Sequence, residues 1–96
     1  MVKLIWSPRA FRDLEEICDY IAQDSDRYAY VVAEGVVGVI ESIPANPLWG
    51  AMVPEYNREE LRERHFQSYR IVDRVSPDRV EIVTIVPAAR MLPPSL

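Results

Sequence analysis

Hydrophobic positions at the start of the chain have the spacing of one strand followed by a helix. A short apolar run at residues 3–6 predicts the strand. Ser7 and Pro8 then indicate a helix start, because serine caps free backbone amides and proline fits the first helical turn. A helix that ends near Gln23 and buries one face is predicted by the spacing of the next apolar residues, which are Phe11, Leu14, Ile17, Cys18 and Ile21.

A second helix is predicted from an apolar stripe that follows the N-cap residues at 24–26. The stripe stops at Pro44, which cannot continue a helix, and comprises Tyr28, Val32, Gly35, Val36, Val39, Ile40 and Ile43. Valine and glycine are poor helix formers, so packing has to hold this helix in place. Gly35 and Gly38 either let the two helices approach each other closely or are weak positions that the helix tolerates.

In the last third of the chain the hydrophobic period changes to two residues, which is typical of strands. Strands are predicted at residues 61–66, 69–75 and 79–86, and the short connections between them indicate an antiparallel meander. The last strand is apolar on both faces, so we expect it inside the sheet. The proline-rich segment 44–57 predicts a loop, which we expect Trp49 to anchor.

Together these elements predict an α+β fold in the order β-α-α-β-β-β. We expect a helical hairpin packed on one face of a small, mainly antiparallel sheet, with the first strand beside one of the last three. With 96 residues the chain is long enough for one domain, residues 1–96, and too short for two sizeable cores.

Composition is that of a globular protein outside the membrane. Hydrophobic residues make up 49% of the chain and charged residues 27%, which is typical of a folded domain. No apolar run approaches the roughly 20 residues of a membrane span, and the N-terminus lacks the apolar block of a signal peptide. We therefore expect a cytoplasmic protein with no membrane partner.

Few residues offer catalytic or metal-binding chemistry. Cys18 is the sole cysteine, which excludes an internal disulfide, and we expect it in the core. His65 is the sole histidine, so a catalytic triad has little support. The sequence has no HxxxH or CxxC pattern and no glycine-rich phosphate loop. We therefore expect no metal site and no cofactor.

Positive charge is concentrated in the predicted sheet, although the net charge of the protein is −4. Strand alternation groups Arg62 with Arg64 and Arg70 with Arg74, and we expect these arginines to share a face. That face either docks an acidic partner or a phosphate backbone, or is simply solvated. In the second case three carboxylates are available for ion pairs, namely Glu63, Asp73 and Glu81. The acidic net charge argues against strong direct nucleic-acid binding.

From end to end the chain resembles the ParE branch of the RelE/ParE toxin superfamily, the toxin half of bacterial toxin-antitoxin pairs. The resemblance rests on IWSPRAFRDLEEICDYIA at 5–22, IPANPLWGAMVPE at 43–55, LRE at 61–63, YRIVDRV at 69–75 and VEIVTIVPAAR at 80–90. It implies the RelE/ParE-like fold and a cognate ParD-like antitoxin that forms a hetero-oligomeric complex with the toxin. It also implies growth arrest when the antitoxin is absent.

Within this superfamily, RelE-like members cut messenger RNA on the ribosome, and ParE-like members are associated with poisoning DNA gyrase. The nucleases use clustered lysine, arginine, histidine and tyrosine residues near the sheet and the C-terminus. Here Lys3 is the only lysine, Pro87 stands where many relatives resemble VHGAR, and Asp73 replaces the tyrosine of the YRIIYRV pattern. The resemblance therefore favours a gyrase-directed toxin that is not an enzyme. The alternatives are a ribosome-dependent mRNA endonuclease and an attenuated toxin that mainly binds its antitoxin.

Candidate site residues combine the family's recurrent polar positions with exposed apolar and aromatic residues of this chain, and include no catalytic residue and no metal ligand. Target-binding positions are expected at Arg62, Glu63, Arg64, Tyr69, Arg70 and Arg90. For Tyr69 the alternative is sheet packing, and for Arg70 a structural ion pair. Antitoxin-binding positions are expected at Trp6, Phe11, Trp49 and Arg74, either in a groove for an amphipathic helix or at a sheet edge that accepts an added strand.

Overall fold

The computed structural model describes residues 2–96, and in that range it contains two α-helices and five strands. A short 3-10 helix, Ile43–Ala45, continues the second α-helix. In chain order the elements are β1 (Lys3–Trp6), α1 (Pro8–Ala22), α2 (Asp26–Ser42), β2 (Ala51–Met52), β3 (Leu61–Phe66), β4 (Tyr69–Val75) and β5 (Arg79–Pro87).

The predicted elements are all present, and the predicted fold class is confirmed. The Ser7 hydroxyl accepts a hydrogen bond from the Ala10 amide at 3.0 Å, so it caps α1 as expected. Ser25 caps α2 in the same way through the amide of Tyr28. The sequence did not predict β2, because two residues are too few to show a strand period.

The five strands form one sheet in the order β1-β5-β4-β3-β2. β1 runs parallel to β5, with Lys3 opposite Arg79 and Trp6 opposite Ile82, and the other pairs are antiparallel. β5 therefore lies inside the sheet, as predicted. β1 and β2 are the two edge strands of the sheet.

The two helices cover one face of this sheet, which we call the helix face. Buried residues from both layers form a continuous apolar cluster there: Ala10, Val32, Val36, Ile40, Ile43, Ile71, Val80, Ile82 and Ile85. Burial of these side chains holds α2 in place despite its valines and glycines.

The second face of the sheet is also buried, which the sequence analysis did not anticipate. Residues that follow β2 and β5 fold back over it and enclose a smaller cluster of Val53, Leu61, Val72, Val86 and Leu92, with Tyr56 and Leu96 packed alongside. β5 is apolar on both sides because both sides are covered.

The arginines of β3 and β4 do not share a face, so that prediction is wrong. Residues directly opposite in an antiparallel pair point to the same side. Arg64 lies opposite Ile71 of the helix-face cluster, whereas Arg70 lies opposite His65 on the second face. Alternation along each strand was read correctly, but the register between strands was not visible in the sequence.

Two further expectations about single residues are corrected, and one open alternative is decided. Trp49 does not anchor its loop, since 79% of it is exposed. Cys18 is only half-buried, and it lines a groove between the helices rather than the core. Gly35 and Gly38 do not bring the helices together, because a Cβ at Gly35 would meet the Phe66 ring of β3 and one at Gly38 would meet nothing within 4 Å.

By length and composition alone, residues 26–45 would pass for a membrane span. The expectation that no such run exists is therefore wrong. In the fold, this segment is α2 and the turn after it. Its buried residues face the sheet, while Glu34 and Glu41 are exposed on the other side, as in the amphipathic helix of a protein core.

We predict that Gly35→Ala destabilises the protein by about 1–3 kcal/mol, because the new methyl group would lie 2.0 Å from Cζ of Phe66 and the ring would have to move. Gly38→Ala is the matched control, since it adds the same methyl group to the same helix in open space. It should stabilise by up to about 1 kcal/mol through helix propensity. Urea unfolding of both variants checks the prediction, and equal effects would contradict it.

Candidate functional site

Arg70 lies on the second sheet face, buried between two glutamates. Only 5% of the residue is exposed. Its guanidinium donates to both oxygens of Glu55 at 2.8 Å, and its Nε donates to Oε1 of Glu63 at 2.9 Å. A bidentate pair of this kind is the strongest arrangement that arginine and a carboxylate form.

The same cluster ties the C-terminal segment to the sheet. Arg70 Nη1 donates to the carbonyl of Arg90 at 3.2 Å, and the Leu92 amide donates to Glu55 at 3.1 Å. The hydrogen bonds from Arg70 hold the pKa of Glu55 at about 2 and, with those to Glu63, raise the pKa of Arg70. Glu55 thus helps to cover the second face as well as to neutralise Arg70.

Electrostatically, this cluster does not resemble a phosphate site. Two carboxylates surround one guanidinium, and His65 lies 3.3 Å from Glu63 at the exposed rim. A cleft of about 420 Å³ opens beside the cluster, lined in part by Arg90 and Met91. A phosphate entering this cleft would meet Arg70 already paired and two negative charges beside it.

Arg62 and Arg64, two of the other predicted target residues, lie apart from this cluster. Arg62 donates to the carbonyls of Glu59 and Gly50 at 2.8 and 3.2 Å, and Arg64 donates to the carbonyl of Asn46. Both hold the loop before β2 by its backbone. Their charges therefore have a structural use, whatever else they contact.

Tyr69 and Arg90 meet in a second cleft, between α1 and the end of β5. Its volume is about 530 Å³, and Asp13, Glu16 and Tyr20 of α1 form the opposite wall. Tyr69 is half-buried against the helix-face cluster, and burial raises the pKa of its hydroxyl. Arg90 is exposed. Of the six predicted target positions, the structure thus places Glu63 and Arg70 together, Tyr69 in the second cleft, and Arg62 and Arg64 beneath the loop, while Arg90 lines both clefts.

Trp6 and Phe11 lie together in an apolar groove, which we call the hairpin groove. Their ring centroids are 6.5 Å apart in an edge-to-face arrangement, and 58% of Phe11 is exposed. The groove has a volume of about 450 Å³ and is completed by Leu14, Glu15, Cys18, Asp19, Ala33 and Val37. Only acidic side chains, Glu15 and Asp19, contribute charge to its lining.

Sequence reasoning placed two of its four antitoxin-binding residues in this groove and missed the remaining lining residues. Trp49 lies next to β2, at the sheet edge opposite to β1 and Trp6. Arg74 lies opposite Leu61 on the second face, and its Nη1 is 3.9 Å from Oε1 of Glu81. Ala33 and Val37 belong to α2 but fall outside its predicted stripe, so their spacing to each other was the only available signal.

Asp73 is fully buried on the helix face, at the position where the YRIIYRV pattern has a tyrosine. Neither carboxylate oxygen has a hydrogen-bond partner in the described part of the chain. Burial raises the pKa of Asp73 to about 7, against the opposing effect of Arg64 and Arg62. Within residues 2–96, no group of three histidine, cysteine or acidic residues is arranged to hold a metal ion.

We predict that Arg70→Met costs about 3–5 kcal/mol of unfolding free energy, because it leaves two glutamates under the C-terminal segment without their partner. The matched control is Arg74→Met on the same strand, whose contact with Glu81 is long and exposed and is expected to contribute less than about 1 kcal/mol. Chemical denaturation of both variants measures the difference. A similar small cost for both would show that the Arg70 cluster contributes little.

The chain matches the family model described as the ParE toxin of the type II toxin-antitoxin system, parDE, over residues 4–92. None of the curated proteins compared with the chain matches it.

Solved toxin structures have the same fold. A chain of the chromosomal ParDE toxin-antitoxin system from P. aeruginosa has a TM-score of 0.75 and 21% identity, with 91% of this chain and 96% of that chain covered. The YoeB dimer from Staphylococcus aureus has a TM-score of 0.58 and 18% identity, with coverages of 88% and 94%. The toxin-antitoxin complex RelBE2 from Mycobacterium tuberculosis has a TM-score of 0.54 and 19% identity, with coverages of 90% and 96%. Because the family match spans nearly the whole chain and the architecture agrees, this chain belongs to the ParE toxin family of type II toxin-antitoxin systems.

Proposed function

We propose that this ParE-family protein is a toxin directed against DNA gyrase, that it acts in the cytoplasm by binding rather than by cutting RNA, and that a ParD-like antitoxin neutralises it. The observation that carries the proposal is that the guanidinium group of Arg70 is already paired with carboxylates. A nuclease of the RelE type needs free basic groups that stabilise the charge on the scissile phosphate. Arg70 is instead buried and bidentate to Glu55, with Glu63 on its other side.

The remaining candidates for nuclease chemistry do not compensate for this. Lys3 lies at the start of β1, an edge strand. Two strands, β5 and β4, separate β1 from β3, which carries His65. His65 is exposed and contacts Glu63, and Arg90 is one exposed arginine beside carboxylates. The geometry thus supplies no cluster of unpaired bases and acids among the described residues.

Antitoxin binding is the second part of the proposal, and the hairpin groove supports it. The groove presents Trp6, Phe11 and Leu14 on an almost wholly apolar surface, with carboxylates as its only charges. Apolar surface of this kind on a small domain is typical of a protein interaction site. We expect an amphipathic antitoxin segment whose apolar residues fill the groove and whose flanking residues are basic.

Induction of the protein alone in a bacterial host, with DNA synthesis and protein synthesis timed separately, tests the proposed target. We expect DNA synthesis to fall first and a DNA-damage reporter to rise, because a trapped gyrase leaves broken DNA. Supercoiling by purified gyrase should fall in the presence of the toxin. Early loss of protein synthesis with cleaved transcripts would instead favour the endonuclease, and unchanged growth would favour an attenuated antitoxin-binding protein.

We predict that Val37→Asp in the hairpin groove weakens antitoxin binding by at least about tenfold, because it places a charge on an apolar contact surface that already carries carboxylates. Val31→Asp is the matched control, since Val31 is exposed on the same helix but does not line the groove. Co-purification and titration calorimetry with the antitoxin measure the effect.

Toxicity of Val37→Asp should persist in the presence of the antitoxin, whereas Val31→Asp should be neutralised normally. Equal antitoxin affinity for both variants would place the antitoxin elsewhere on the toxin.

A further inference from the structure

Asp73 is an unusual residue for the helix face, and the proposed function does not use it. It is fully buried, and neither oxygen has a hydrogen-bond partner among residues 2–96. Buried polar groups are almost always paired, because an unpaired one loses its water without compensation. A carboxylate without a partner at this position therefore calls for a second arrangement in which it is paired.

Two arginines lie close enough to supply that pairing. Arg62 is directly opposite Asp73 across the β3–β4 pair, and Arg64 is two residues further along the same face. They are the charged groups whose fields act on Asp73. Its cross-strand neighbour on β5 is Ile82, and the side chains that α2 and the 3-10 helix bury are apolar.

Neither guanidinium group donates to Asp73; both bind backbone carbonyls instead, and Arg62 also donates to the Glu59 carbonyl after β2. Residues 46–50, which we call the strap, receive one hydrogen bond from Arg64 at the Asn46 carbonyl and one from Arg62 at the Gly50 carbonyl. Nε of Arg64 is buried without a partner in the described residues. While they hold the strap, neither arginine donates to the carboxylate, so pairing with Asp73 requires a different side-chain arrangement.

The strap has few other attachments. Its own backbone contributes the hydrogen bonds from the Asn46 amide to Ile43 and from the Trp49 amide to Asn46. Leu48 and Trp49, its two large apolar residues, are 60% and 79% exposed. Gly50, at the end of the strap, is buried against β3. The part between the two arginine contacts, residues 47–49, has few buried contacts and opens at low cost.

We propose that the strap is a two-state element controlled by Asp73: it is closed while the carboxyl is neutral, and it opens when the ionised carboxylate draws Arg62 and Arg64 away from the strap carbonyls. Residues directly opposite in an antiparallel pair have Cβ atoms about 4.5–5.5 Å apart, so a change of side-chain rotamer brings Arg62 to Asp73. Opening also moves Leu48 and Trp49, which makes this exposed apolar pair dependent on the charge of a buried residue.

The direction of the pH dependence follows from the raised pKa of Asp73, which is about 7 in the closed state. An ion pair with arginine in the open state would lower the pKa again. The closed state therefore binds one more proton than the open state between these two pKa values. Below pH 7, each pH unit therefore raises the ratio of open to closed molecules by up to about tenfold, and above pH 7 the ratio levels off because both states are ionised.

Amide exchange measured by NMR on the 96-residue chain at pH 6, 7 and 8 tests the proposal, with rates expressed as protection factors. We expect protection of the Asn46 and Trp49 amides to fall by up to about tenfold between pH 6 and pH 8, most of it below pH 7, while amides of β4 and β5 keep theirs. Asp73→Asn keeps the shape of the side chain without the charge, and its strap should stay protected at pH 8. The control Asp78→Asn removes an exposed carboxylate and should behave like the original protein.

A second variant keeps the test decisive if Asp73→Asn folds poorly. Arg62→Gln with Arg64→Gln removes both attachments, so the strap should be unprotected at all three pH values. The proposal is overturned if strap protection in the original protein does not change with pH, or if Asp73→Asn retains the change. It is also overturned if the double arginine variant keeps the strap closed at pH 6.

Discussion

The buried pairing of Arg70 with Glu55 and Glu63 is the interaction on which the second half of the fold depends. It joins β3, β4, the loop after β2 and the C-terminal segment through one guanidinium group. Without it, the small apolar cluster around Val72 and Leu92 would lose the polar contacts that hold its cover in place. Two faces of one sheet are buried in a chain of 96 residues because this cover is itself attached by charge as well as by apolar contact.

Arginine is concentrated in the sheet largely to hold the protein's own backbone and carboxylates. Arg62 and Arg64 bind carbonyls of the strap and its neighbourhood, and Arg70 binds two glutamates. The planar guanidinium suits this work because it donates in several directions at once, which lysine cannot do. A cluster of arginines in a toxin sequence is therefore weak support for a phosphate site until the partners of each side chain are known.

Most of the fold could be predicted from spacing alone, since α1, α2 and the three long strands each have a clear period and clear ends. The register between β3 and β4 could not be predicted. Without it, the two arginine pairs were expected on one face, whereas they lie on opposite faces of the sheet. The sequence also did not predict that residues 53–56 and 88–96 cover the second face, because these segments have no periodic pattern. Of the hairpin groove, Trp6 and Phe11 could be identified as aromatic residues expected at the surface, while Ala33 and Val37 look like ordinary small helix residues in the sequence.

The parallel pairing of β1 with β5 joins the first strand of the chain to the last, with Lys3 beside Arg79 and Trp6 beside Ile82. During synthesis, β1 and both helices leave the ribosome long before their interior strand exists, and they cannot complete a sheet until it does. Contacts this distant in sequence also slow folding after release. A nascent toxin of this topology therefore acquires its finished sheet only after β5 has been synthesised, so chains interrupted before β5 lack the assembled fold.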